Sequence, residues 1–119
     1  MKTNKKISLE YIAGFFDGEG CIVFKEYMKY NPVMKKRYLS KSIRMEVCNT
    51  DHDIINDIHD FFNLGKVYFL KKRKESYKQQ IRWQLTHRQA EKVIRQILPY
   101  MREKNKISQA RKVLDFYNK

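Results

Sequence analysis

Ile12-Ala13-Gly14-Phe15-Phe16-Asp17-Gly18-Glu19-Gly20 holds three of the chain's four glycines and two of its thirteen acids. Glycines inside a helix cost roughly 1 kcal/mol each, so their presence needs a reason. Around them, Leu9, Ile12, Ala13, Phe15 and Phe16 recur at helical spacing, and Ser8 is placed to cap the first turn. Gly14 and Gly18, four apart, fall on one face of that helix with Ala13 beside them. Small residues at that spacing let a second helix approach closely, a device best known from membranes. Asp17 and Glu19 follow in a Gly-rich turn at the helix C-terminus. A carboxylate beside open backbone carbonyls suits a hard divalent cation such as Mg²⁺. The same residues also suit a plain Gly-rich C-cap with solvated acids.

Length and charge frame this stretch. A chain of 119 residues and 14.5 kDa accommodates one domain, here expected to span 1–119. Lys and Arg exceed Asp and Glu by a net +13, yet 42% hydrophobic and 13% aromatic residues exclude a disordered basic tail. No apolar run approaches the roughly 18 residues of a membrane span. The N-terminus is basic and then mixed, with Glu10 and Tyr11 inside its apolar stretch. It reads as a helix start rather than a secretory signal, so an intracellular protein is expected. Cys21 and Cys48 form no CxxC pair, which argues against a disulfide scaffold and a structural zinc site. The charge points to nucleic acid ahead of a membrane surface or an acidic protein, and to no small-molecule substrate.

The charge is concentrated. Residues 25–44 carry seven cations against Glu26, and residues 66–82 carry seven against Glu75, so these windows hold twelve of the thirteen net charges. Both read as β-hairpins. Ile22 and Phe24 alternate with Val23, Lys25, Tyr27 and Lys29; Asn31-Pro32 breaks the run; Ile43, Met45 and Val47 then alternate with Ser42, Arg44, Glu46 and Cys48. Val67 and Phe69 alternate with Lys66, Tyr68 and Leu70. A polar turn at Lys74, Glu75 and Ser76 precedes Ile81, Trp83 and Leu85, which alternate with Gln80, Arg82 and Gln84. Period-2 patterning implies a sheet with one buried and one cationic face, its Lys, Arg, Gln and Tyr residues suited to phosphates and base edges.

Helices fill the intervals. Thr50 with Asp53, and Thr86 with Gln89, resemble capping boxes before the apolar sets Ile54 to Phe62 and Ala90 to Leu98, with Gly65 a stop signal after the first. Pro99 starts a last segment holding Ile107, Ala110, Val113 and Leu114. The result is an α+β chain, a leading helix before two hairpin-plus-helix units and a final helix. His52, His59 and His87 show no ligand spacing, and Trp83 occupies a core position.

The motif IAGFFDGEG, preceded by Tyr11 and followed by Cys21-Ile22-Val23-Phe24, resembles the LAGLIDADG homing endonucleases. The αββαββα order, the Leu98-Pro99-Tyr100-Met101 stretch and the basic last segment extend the resemblance along essentially the whole chain. A single motif copy is the pattern of homodimeric members. The resemblance implies an antiparallel sheet forming a DNA-binding saddle plus a C-terminal helix. It also implies a dimer packed through Ala13, Gly14, Asp17 and Gly18. Metal would be held by Glu19 and the Gly18 carbonyl, with Mg²⁺ as cofactor. Glu19 replaces the family's more usual Asp. The implied activity is site-specific, double-strand cleavage of a long pseudo-palindromic DNA site, with intron homing as its setting. Lys25, Tyr27, Lys29, Ser42, Arg44, Glu46, Lys66, Tyr68, Lys72, Lys78, Gln80 and Arg82 would meet DNA.

Two further roles follow from the same resemblance. Asn49 fits the position of a polar residue that orients water, although Asp51-His52-Asp53 stand where some members carry a basic residue. A catalytic lysine is expected after the Pro-Tyr stretch. Lys104, five residues past Pro99, is the expected residue; because Gln109-Ala110 falls two residues late, Lys106 competes for the role. The rival readings are an RNA-binding intron maturase, a non-catalytic DNA-binding regulator and a small basic ribosomal-type protein. An intact Glu19 turn favours catalysis over the second, and the third has no use for a Gly14/Gly18 interface.

Overall fold

A computed structural model describes residues 7–118 of the chain. The first helix, α1 (Leu9–Glu19), starts where Ser8 Oγ accepts the Tyr11 N–H at 3.1 Å and ends as Gly20 donates its N–H to the Phe16 carbonyl. Gly20 is required there: a Cβ would meet the Phe16 ring at 2.1 Å. Without interruption the chain enters β1 (Gly20–Asn31), turns, and returns as β2 (Lys36–Asn49). Asn31 Oδ1 shapes the turn by accepting the N–H groups of Val33 and Met34. Then follow α2 (His52–Phe62), β3 (Lys66–Phe69), β4 (Ile81–Thr86), α3 (His87–Ile97), a 3₁₀ turn at Leu98–Tyr100, and α4 (Lys104–Tyr117).

The four strands form one antiparallel sheet in the order β1-β2-β4-β3. Its alternation is as the sequence patterning requires. Ile22, Ile43, Met45, Val47, Ile81, Trp83 and Leu85 are buried on one face, joined in the core by Ile12 and Phe16 of α1, Ile55 and Ile58 of α2, Ala90 to Ile97 of α3, and Ala110 and Val113 of α4. Trp83 packs against Phe62 with ring centroids 5.8 Å apart, and its Nε1–H donates to the Leu64 carbonyl at 2.8 Å. Among the described residues the one buried charged side chain is Glu91, which is clamped by Arg88 and Arg95 at 2.8–3.0 Å. Among the described residues no helix is long and apolar enough to cross a membrane.

Local signals were resolved differently from the sequence reading in four places. Asp51, not Thr50, caps α2, because its carboxylate reaches the N–H groups of both Asp53 and Ile54. Thr86 occupies the cap position of α3 but its side chain makes no cap bond, and His87 takes φ 50° beside it. Asn63, in the left-handed conformation, ends α2; Gly65 instead uses φ +85° to pass beneath Gln84 and Trp83. The second hairpin is short. Its β3 stops at Phe69, and residues 70–80 form a loop held by the Leu70 N–H to Gln80 carbonyl bond.

Candidate functional site

Helical rotation divides the motif into two sides. Ile12, Ala13 and Phe16 are buried, whereas Gly14 and Gly18 are exposed, with no atom of the described residues within 4 Å of a Cβ placed on either. The glycine face of α1 is therefore open. Ala13, expected at the interface beside the two glycines, does not share this face; it is fully buried, because the 100° step between successive helical residues turns it into the core.

At the end of α1, Asp17 is tied to the approach to α4. Its Oδ2 accepts the Arg102 N–H at 2.8 Å, and its main-chain carbonyl accepts from Lys106 Nζ. Glu19, by contrast, is exposed and forms no hydrogen bond or ion pair among the described residues. It immediately precedes β1, so the motif turn and the sheet share one uninterrupted segment. Among the described residues no three His, Cys, Asp or Glu side chains gather into a metal cage. The donors present are one free carboxylate and the carbonyls of a Gly-rich turn. That set fits Mg²⁺, which keeps several waters and needs only one or two carboxylates.

Two lysines compete for a place beside this turn. They stand two residues apart on α4, which puts them about 200° apart around its axis. Lys106 is half-buried and reaches the end of α1. Lys104 points away, lining a shallow depression with Ser108, Arg111, Lys112 and Asp115. Asn49 is half-buried at the end of β2, paired with Ile81, and its Oδ1 accepts the Asp51 N–H at 2.8 Å. Its Nδ2 donors are left for another partner.

The outer face of the sheet carries the expected side chains. By register, Lys25, Tyr27 and Lys29 of β1 stand opposite Ser42, Ser40 and Tyr38 of β2, while Arg44 and Glu46 lie further along β2 opposite Val23 and Cys21; beyond β2, Arg82 of β4 pairs with Tyr68 of β3, and Lys66 with Gln84. Lys72, Lys78 and Gln80 lie in the 70–80 loop, where they line one hollow with Lys71, Arg73 and Thr50. Lys41 is withdrawn from this surface. Its ammonium lies over Phe116, 4.1 Å from the ring centroid, on the core side of the sheet.

A polar network occupies the middle of the outer face. Arg82 Nε donates to Cys48 Sγ at 3.1 Å, and Nη1 donates to the Tyr68 hydroxyl, also at 3.1 Å. Tyr68 in turn donates to Gln84 Oε1 at 2.5 Å. The Cys48 and Tyr68 contacts, outweighing desolvation, hold the Arg82 pKa above the usual guanidinium range. Glu46 lies between the two arginines, its Oε2 3.3 Å from Arg44 Nε and 3.7 Å from Arg82 Nε. Sequence reading singled out Arg82 and Tyr68 but missed Cys48 and Gln84. Both share Arg82's position in the period-2 pattern, which was the available signal. Lys106 was visible only as an alternative register.

Comparison with known proteins follows the same lines. A sequence model of the LAGLIDADG endonuclease family matches residues 12–118. The homing endonuclease I-CvuI, in complex with the I-CreI target, superposes with a TM-score of 0.67 at 24% identity, over 90% of this chain and 63% of that one. The group I intron-encoded homing endonuclease I-CeuI, complexed with DNA, gives 0.68 at 17% identity, over 98% of this chain and 59% of that one. I-LtrWI, a LAGLIDADG homing endonuclease bound to target DNA, gives 0.65 at 17% identity, over 100% of this chain and 40% of that one. This chain thus spans about three-fifths of the first two and less of the third. No curated protein matches it in sequence. At these identities the superpositions speak to fold, an α+β arrangement of four helices on a four-stranded antiparallel sheet; the match along residues 12–118 shows that the chain belongs to the LAGLIDADG endonuclease family.

Proposed function

We propose that this chain is a site-specific, double-strand DNA endonuclease that works as a homodimer by metal-assisted phosphodiester hydrolysis. The observation that carries the reading is the continuity of α1 with the sheet: an open glycine face, a free Glu19 and a cationic surface follow one another along a single segment. Two copies packed through Gly14 and Gly18 would bring two Glu19 carboxylates together and set two sheets side by side over a duplex. Family membership and the DNA-bound I-CvuI and I-CeuI structures support duplex DNA as the partner of that surface. I-CvuI structures obtained with Mg and with Ca support a divalent cation.

Glu19 and the Gly18 carbonyl would hold Mg²⁺. When bound, that ion polarises the scissile phosphate and lowers the pKa of attacking water. The chain's own groups do the rest. Asn49 Nδ2 orients a water, its amide fixed by the Asp51 N–H. The Lys106 ammonium, rather than that of Lys104, supplies positive charge near the developing phosphorane. Lys25, Lys29, Lys66 and the lysines of the 70–80 loop contact phosphates, while Arg44 and Arg82 read bases.

The test is to map cleavage on the intron- or intein-insertion junction of the chain's own locus. Glu19→Gln keeps shape but weakens a hard-cation site, so it is expected to abolish Mg²⁺-dependent cleavage while site binding persists. Wild-type cleavage by Glu19→Gln overturns the endonuclease reading of the turn. A steep salt dependence for binding structured intron RNA, beside a shallow one for DNA, would instead favour the maturase.

A further inference from the structure

Among the described residues Arg82 is the one arginine of the outer face held from two sides. Cys48 Sγ engages its Nε, and the Tyr68 hydroxyl engages its Nη1. Tyr68 is itself fixed, since it gives its proton to Gln84 Oε1. These three partners come from three strands: Cys48 from β2, Tyr68 from β3 and Gln84 from β4. The Tyr68 ring adds a face contact, 5.8 Å from the guanidinium carbon. Arg44 has no comparable support; its Nε lies 3.3 Å from Glu46 Oε2 but makes no hydrogen bond among the described residues.

A free arginine side chain samples many rotamers, and ordering it on a base edge costs entropy. A guanidinium already pinned at Nε and Nη1 loses little more. It still has both Nη2 protons and one Nη1 proton to offer, donors that can match the O6 and N7 acceptors of guanine. We propose that Cys48 and Tyr68 are positioning residues which pre-set Arg82 as a guanine reader, so that Tyr68 acts through Arg82 and not by touching DNA. This rests on the reading of the sheet as a DNA-binding surface and deepens it. It makes Arg82 the rigid and Arg44 the adaptable reader of the pair.

The geometry also explains why the thiol matters. Sulfur is a weak acceptor, but at 3.1 Å from Nε and half-buried it occupies the place where a water would otherwise compete for the guanidinium edge. Serine can accept the same bond, and alanine cannot.

The experiment has two readouts on the intact protein. Base preference is measured on half-site libraries randomised one position at a time, and Arg82 Nε–H exchange is followed by ¹⁵N NMR without DNA. Tyr68→Phe and Cys48→Ala are expected to lose roughly tenfold discrimination at the same single position as Arg82→Ala. Their affinity for an unrelated duplex should stay within about twofold of wild type, and Cys48→Ser should restore the preference. In the free protein, Nε–H exchange should be slow in wild type and Cys48→Ser, and fast in Cys48→Ala. If Tyr68→Phe lowers affinity uniformly, or shifts preference at a position Arg82→Ala leaves untouched, Tyr68 contacts DNA itself and the assignment is overturned. Binding of wild type with unprotected Nε–H, and an unaltered Cys48→Ala profile, overturns the seat alone. Absence of any duplex binding, with Nε–H protected, overturns the DNA reading and leaves the seat as a folding feature.

Discussion

Lys104 and Lys106 show how much a two-residue register can decide. If Lys106 is the ammonium beside the scissile phosphate, Lys106→Met should slow cleavage by two orders of magnitude or so while Lys104→Met changes it only a few-fold, measured as single-turnover rates on a mapped site. The reverse ranking would restore the count from Pro99. The sequence contained both registers, and only the helical phase of α4 against the end of α1 separates them. Glu19 was legible because acids are scarce and this one stands in a glycine turn. Asp51 as the true cap was not, because Thr50 and Asp51 are both good caps and one residue of backbone decides between them. A second residue-level prediction concerns Glu91. Arg88 and then Arg95 hold its carboxyl below the usual range against the opposing effect of burial. Its stabilisation is therefore present above the unfolded-state value and is lost as pH falls through the lower folded one. Glu91→Gln should cost about 1–2 kcal/mol in urea titrations at pH 7, discounting for the exposed arginine ends, with the gap to wild type closing below about pH 4. A gap that persists unchanged to low pH would assign the loss to packing.

Among the elements, α1 makes the cleanest separation between folding and association. Among the described residues nothing lies within 4 Å of a Cβ at Gly14 or Gly18, so a larger side chain there starts into open space. In the helix interior at Gly14, leucine should even stabilise the monomer by up to roughly 1 kcal/mol. We therefore expect Gly14→Leu and Gly18→Leu to sediment as folded monomers that no longer cleave, with Tm unchanged or raised. Dimers in both variants would place the interface elsewhere. The strand faces were readable from alternation because one side is packed and the other is not. The polar turn expected at Lys74, Glu75 and Ser76 sits inside a longer 70–80 loop: Leu70 continues the alternating pattern, yet the ladder ends at its backbone bond to Gln80. Alternation records which face a residue takes, and says nothing of how far a ladder runs.

At the scale of the molecule, the outer strand face presents Lys25, Lys29, Arg44, Lys66 and Arg82, and the 70–80 loop adds Lys71, Lys72, Arg73, Lys74 and Lys78. A dimer doubles this array. Duplex affinity should accordingly fall at least roughly a thousandfold between about 50 and 200 mM salt, read by fluorescence anisotropy. A flat dependence would mean the face does not track phosphates. The β1–β2 hairpin extends well past the packed region: Lys25 to Tyr30 and Lys36 to Leu39 are exposed, and Met28, Val33, Met34 and Leu39 are left largely uncovered. Little buried area depends on these side chains. Substitutions along this arm change what the molecule presents while leaving the interior that holds it intact, so the hairpin can drift through many surface chemistries at almost no risk of unfolding. The arm is where a lineage of such chains can explore new sites without first acquiring surplus stability.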